Sequence, residues 1–183
     1  MKEKFITLLS TVVPLPFENI DTDRIIPARF LKTITRGGLG QHLFADWMPN
    51  GLPLNHGSIL VTGPNFGCGS SREHAAWAIL DAGFRAIIST SFADIFRVNA
   101  LNNGLLTIQA SPAFVEKIFA ATREDSYIFA NIDLASRTVI FQGQRESFDI
   151  SPYKQQCLLN GLDDIDYLLS IRKKIRQYEK RKP

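Results

Sequence analysis

Cysteine is almost missing from this sequence: 183 residues contain two, Cys68 and Cys157, far apart in the chain. A disulfide framework and a cysteine-rich metal module are both excluded. Histidine is nearly as scarce, and His42, His56 and His74 are scattered. No set of His, Cys, Asp or Glu has the spacing of a zinc site, and two distant thiols cannot ligate an iron–sulfur cluster. Long apolar runs are absent too. The longest, around residues 5–16, is broken by polar residues and proline, well short of the ~18–20 residues a membrane span needs. The first residues lack a charged segment leading into an apolar one, so the expected setting is reducing cytoplasm without a membrane anchor.

Internal repeats and low-complexity linkers are also lacking, which points to one domain over residues 1–183. A chain of this length buries about 70% of its unfolded surface and needs no staple. The net charge of +3 is unevenly spread: residues 172–183 hold seven Lys or Arg and one Glu, leaving the remainder net negative. The basic character is that of a helical C-terminal tail, read as a solvated helix end. It has no aromatic interleaving of the kind that stacks nucleic-acid bases, so no nucleic-acid partner is expected.

Short apolar, β-branched runs at residues 5–13, 58–61, 86–89 and 105–108 predict buried strands. Helices are predicted over 73–82, stopped by Gly83, over 92–103, preceded by Ser91 and stopped by Gly104, and over 112–121 with Ser111 as N-cap. This alternation argues for βαβ units and a partly parallel sheet. Period-two segments at 127–133, 138–142 and 145–150 suggest a small antiparallel meander. A helix from Ser151 and Pro152 to Gly161 follows, then one from about Asp163 with Ile165, Leu168, Leu169 and Ile175 at helical spacing. Residues 14–57, rich in proline, glycine and aspartate, read as irregular structure with short helices.

The most informative segment is NFGCGSSREH, residues 65–74, which follows a strand and opens a helix. Helix entrances expose unpaired N–H groups and the positive end of the dipole, and Gly67 and Gly69 allow close approach to the backbone. Arg72 adds a fork suited to a carboxylate. A purely structural alternative stands beside this one. Ser70 to Glu73 fits the S-x-x-E capping box, in which the two residues satisfy each other's backbone donors. Phosphate binding would want the lysine of G-x-x-x-x-G-K-[ST], and a nucleophilic serine would want G-x-S-x-G; neither pattern is present. Cys68 is either a thiol activated near a helix entrance or small packing.

These residues resemble a known family. FGCGSSREHA, residues 66–75, is similar to the serine loop of the swivelling domain in the aconitase superfamily. The likeness extends to NIDTDRIIP (19–27), HLFADW (42–47), SFADIF (91–96) and NGLDDI (160–165), in the expected order over residues 5–169. Together these resemble the small-subunit family of the 3-isopropylmalate dehydratases. The resemblance implies an α/β fold of the swivelling β/β/α type, with a mixed, partly parallel sheet flanked by helices plus the meander.

It further implies a hydro-lyase of leucine biosynthesis that interconverts 2- and 3-isopropylmalate through an alkene and is active only with a separate large subunit. That subunit would carry a four-iron, four-sulfur cluster, with no metal or cofactor held by this chain. By family likeness, Ser70 is the general base, Ser71, Arg72 and Gly69 bind the dicarboxylate substrate, and Asp23 orients an arginine or histidine, with an Asx turn as its structural alternative. Asp21 is read as structural. Leu31 and Lys32 fall in the specificity loop, where an apolar Leu31 suits an isopropyl group. Two other readings stay open: a related hydro-lyase acting on homoaconitate, citraconate or a methylated malate, and a non-catalytic ligand-sensing or RNA-binding derivative. The 48–55 connection and the lysine-rich ending depart from relatives.

Overall fold

The short apolar runs become strands buried on both faces because helices cover both sides of the sheet they form. In the computed structural model, which describes residues 2–32, 35–48 and 57–180, β1 (Thr7–Leu15), β2 (Ile59–Thr62), β3 (Ala86–Ser89) and β4 (Leu106–Gln109) pair in parallel. Three antiparallel strands, β5 (Phe129–Asp133), β6 (Thr138–Phe141) and β7 (Gln144–Ser147), continue from the other edge of β1. One seven-stranded sheet results, in the order β4-β3-β2-β1-β5-β6-β7. The antiparallel meander is part of the main sheet, joined by the register Thr7 to Asp133 through Thr11 to Phe129.

Successive residues of a strand face opposite sides, and the cores divide accordingly. Ile59, Val61, Ala86 and Ile88 join one cluster with Phe114, Val115 and Ile118 of α4 (Pro112–Glu124). Leu60 and Ile87 join the other with Ala75, Ala76 and Ile79 of α2 (Glu73–Asp81) and Phe96 and Ala100 of α3 (Asp94–Asn103). That second cluster also takes up Ile20, Ile25, Ile26, Leu39 and Phe44. The irregular segment is thus pinned to the sheet by its apolar residues. Within it lie α1 (Thr22–Ile25) and two single turns at Ala28–Phe30 and Gly40–His42.

Some boundaries differ from the sequence expectation. β1 starts two residues later and runs on to Leu15, because its last four residues pair with β2. Ser91 does not cap α3: Ala93 holds that position without a side-chain bond, and the Ser91 hydroxyl accepts the Asn65 N–H at 2.8 Å. Ser111 and Ser151 do cap α4 and α5 (Pro152–Asn160).

The helix expected from Asp163 breaks at Ile171 into α6 (Asp164–Ser170) and α7 (Arg172–Glu179). Its apolar stripe is not buried: Ile165, Leu168 and Leu169 are exposed, since this stretch lies past the last strand and finds no sheet to cover. No helix of the described residues is long and apolar enough to cross a membrane.

Polar contacts tie α6 to α5. Lys154 Nζ donates to Asp164 Oδ1 at 2.8 Å and to Asn102 Oδ1 at 2.5 Å, and the Tyr153 hydroxyl donates to Asp164 at 2.5 Å. The Lys154 hydrogen bond, then that of Tyr153, holds the Asp164 carboxyl below its ordinary 3.8, while the Tyr153 hydroxyl is pushed up. A carboxylate with a depressed folded pKa stabilises above its unfolded pKa and loses that contribution as pH falls through the folded value. Asp164→Asn should therefore lower stability at pH 7 by under about 1 kcal/mol, the scale of an exposed pair. The difference should close as pH falls below 3.8, as read from urea midpoints of both proteins across pH 3 to 7.

Candidate active site

The parallel strands end at one edge of the sheet, and loops leaving that edge make the site, as open α/β sheets favour. Three of them are stitched together by backbone bonds. After β1, the Thr22 N–H donates to the Cys68 carbonyl at 2.9 Å, and Ile20 accepts the Gly67 N–H at 2.7 Å. After β3, Ser91 accepts the Phe66 N–H at 3.3 Å and Phe66 accepts that of Ala93 at 3.0 Å. The loop after β2, residues 63–72, lies between them. Asn19 and Asn65, both at positive φ, join through their side chains at 2.8 Å.

Gly67 sits at φ +79 where a Cβ would lie 2.2 Å from Cγ of Phe96, so this position demands glycine for both conformation and space. Phe66 and Phe96 meet edge to face with ring centroids 5.2 Å apart. Gly69, at φ +83, is exposed, and a Cβ there would meet only the side chains of Asp21 and Thr22, at 3.4 and 3.8 Å.

The capping box between Ser70 and Glu73 does not form. Arg72 is the N-cap of α2, with no side-chain cap bond. Glu73 turns instead to Asn103 on α3, accepting from its Nδ2 at 2.8 Å, while Asn103 accepts from Trp77 Nε1 at 3.0 Å. A buried amide on the neighbouring helix outcompetes the local box, since an unpaired buried Asn is costly. Ser70 and Ser71 are left exposed, and the amides of residues 70–72 have no partner among the described residues.

Arg72 folds back onto Asp23: its Nη1 donates to Asp23 Oδ1, with the Arg72 side chain 17% exposed and that of Asp23 55%. Among the described residues one guanidinium nitrogen is engaged, and the remaining donors of the fork have no partner. Asp21 has a structural task, capping α1 by accepting the Arg24 N–H at 2.7 Å. Beside Asp23, a shallow cavity is lined by Asp21, Arg24, Asp46 and Trp47. Arg29 meets Asp46 through two 2.6 Å bonds.

Leu31 closes the turn at Ala28–Phe30 and packs against the second core cluster. Lys32 lines a separate cavity with Arg29, Phe30, Leu39 and His42 that contains no residue of the serine loop. Lys32 is thus linked to the cavity beside Asp23 through Arg29 and Asp46. Thr33 and His56, and 49–55 of the connection, lie outside the described residues. His42 stacks on Phe30, centroids 3.8 Å apart, and His74 leans on Trp77.

Both cysteines are free thiols; Cys157 is buried, and burial pushes its thiol up. Reading the sequence overlooked Thr22, whose hydroxyl donates to the Ser70 carbonyl at 3.0 Å. Its placement between Asp21 and Asp23 was the one signal available.

A serine loop at a helix entrance, packed against an Asp-Thr-Asp segment on a partly parallel sheet, defines the aconitase-type domain. The family model described as Aconitase C-terminal domain matches residues 53–113. A crystal structure of 3-isopropylmalate dehydratase from Methanocaldococcus jannaschii superimposes with a TM-score of 0.70 at 29% identity, covering 95% of this chain and 99% of that one. Among curated relatives, the 3-isopropylmalate dehydratase small subunit of Cytophaga hutchinsonii is 56% identical, covering 97% of this chain and 95% of its own. Those of Christiangramia forsetii and Karelsulcia muelleri are 52% and 51% identical, each covering 98% of this chain and 94% and 97% of their own. The chain belongs to the family of 3-isopropylmalate dehydratase small subunits.

Gly67→Ala should destabilise by about 3 kcal/mol, combining a left-handed backbone with overpacking against Phe96. Gly69→Ala, with strain but space, should cost about 1–2 kcal/mol. Urea denaturation of the two variants side by side measures the contrast.

Proposed function

We propose that this chain is the carboxylate-binding, proton-accepting half of a 3-isopropylmalate dehydratase. This hydro-lyase interconverts 2- and 3-isopropylmalate through an alkene in leucine biosynthesis. The observation that carries the reading is an exposed Ser70 beside amides that have no partner among the described residues, at the entrance of α2, next to an Arg72 held by Asp23.

The chemistry needs a base beside a carboxylate, a grip on the carboxylates and help for the departing hydroxide. Ser70 Oγ serves as the base, removing the carbon-bound proton as an alkoxide favoured by the surrounding N–H donors and by the guanidinium charge. Ser71, the Gly69 backbone and the free donors of Arg72 hold a substrate carboxylate, while Asp23 keeps the fork aimed. Leu31 and Lys32 bear on which side group is accepted, from the rim of the site.

The departing hydroxide needs a Lewis acid. An aconitase-type iron–sulfur cluster does not fit this chain, because such a cluster takes several thiolates and only Cys68 and Cys157 are present, the latter buried on α5. The cluster belongs to the large subunit, and the site is completed when the two subunits close on a dicarboxylate in the cytoplasm.

The isolated chain should be colourless and inactive, and should yield dehydratase activity when combined anaerobically with a cluster-loaded large subunit. In that pair, Ser70→Ala should lower kcat by about 10³-fold with assembly intact. Arg72→Lys should act chiefly on KM, because a point charge replaces a fork. Activity of the chain alone, or near-normal kinetics in both variants, would sink the assignment.

A further inference from the structure

We infer that Thr22 is a positioning residue for catalysis: by holding the Ser70 carbonyl inward, it turns the Ser71 N–H out toward the substrate. The inference rests on the reading of Ser70 and Ser71 given above and deepens it. Thr22 is 1% exposed, and it grips the loop at two points, through its N–H on the Cys68 carbonyl at 2.9 Å and through Oγ1 on the Ser70 carbonyl at 3.0 Å. Upstream, the loop is secured by Gly67 on Ile20 and by the lack of room around Gly67. Downstream, it enters α2 with the Arg72 side chain tied to Asp23. Between those two points lie Gly69, Ser70 and Ser71, all exposed. Among the described residues, the Thr22 hydroxyl makes the one hydrogen bond that reaches Ser70.

A peptide unit is planar, and in its trans form the C=O and the following N–H point in opposite directions. No peptide bond among the described residues is cis. Fixing the Ser70 carbonyl toward the protein therefore fixes the Ser71 N–H away from it, on the face where Ser70 and Ser71 are exposed. A flip of the 70–71 plane would rotate only ψ of Ser70 and φ of Ser71, two exposed residues, and would leave the rest of the loop in place. Without the Thr22 hydroxyl, the Ser70 carbonyl has water as its alternative partner, and the plane is no longer biased. The site would keep its fold and its guanidinium while losing a preorganised donor. Such donors act where charge develops in the transition state, so the loss falls on turnover more than on ground-state binding.

The test uses the reconstituted two-subunit enzyme with Thr22→Val, Thr22→Ser and Ser70→Ala. Val keeps the shape and removes the donor; Ser keeps the donor and removes a methyl. The expected result is a kcat lowered about tenfold or more in Thr22→Val, with KM changed less than about twofold and thermal stability near wild type. Thr22→Ser should retain most of the turnover. Wild-type kcat in Thr22→Val, an equal loss in Thr22→Ser, or a loss confined to KM would each overturn the inference. If Thr22→Val does not assemble, Thr22→Cys takes its place, since a thiol is a weak donor. Ser70→Ala separates the two levels: an active Ser70→Ala enzyme defeats the role of Ser70 itself. An inactive Ser70→Ala beside a fully active Thr22→Val defeats the positioning role alone.

Discussion

The backbone stitching of three strand-end loops is the constraint on which the rest depends. Thr22 to Cys68, Gly67 to Ile20, and Phe66 to Ser91 and Ala93 hold the serine loop as though it were the middle strand of a minute extra sheet. These bonds run between main-chain groups of segments far apart in sequence, so they form only when β1, β2 and β3 are already side by side. Glycine at position 67 lets Phe96 come in beneath, and that ring leaves the loop nowhere to collapse. A loop rigid at its base and exposed at Ser70 and Ser71 is what an active site of this kind needs: donors preset, with their orientation settled before substrate arrives.

Competition for partners explains the arrangement of side chains around that loop. Glu73 had a local offer, the Ser70 capping box, and a remote one, the buried amide of Asn103. The remote offer wins because Asn103 also serves Trp77 and Asn99, and leaving such a buried group short of partners costs more than leaving a helix entrance open to water. Ser70 is thereby released from the cap, and the amides of residues 70–72 have no partner among the described residues. Asp23 is similarly placed by its helix turn, with Asp21 taking the capping duty and Asp23 facing Arg72.

The sheet separates duties as well. Its parallel half carries the loops of the site, while its antiparallel half, β5 to β7, closes the other edge of β1 and supports α5 through the bond from Gln155 to the Leu134 carbonyl. The basic stretch in α7 and the exposed Ile165, Leu168 and Leu169 in α6 lie beyond both halves. The helical spacing of Ile165, Leu168 and Leu169 gave the helix but not its surroundings, because periodicity records that a face exists without recording whether the chain itself can cover it.

Much was settled by local chemistry alone. Apolar run length, Ser-Pro helix starts and glycine stops placed β2 to β4 and α2, α4 and α5 to within about a turn, and the glycine-serine loop before α2 was legible as a strand-to-helix junction. These features depend on near neighbours in the chain, so a sequence carries them whole. The joining of the meander to β1, the surrender of the capping box to Asn103, the pairing of Asp23 with Arg72 and the grip of Thr22 on Ser70 were decided by the tertiary structure. Each joins residues 30 to 126 positions apart: Glu73 to Asn103, Thr22 to Ser70, Asp23 to Arg72, Thr7 to Asp133. Hydrogen-bond partners at such separations are chosen by proximity after folding, and no local pattern encodes which of several possible partners will be nearest.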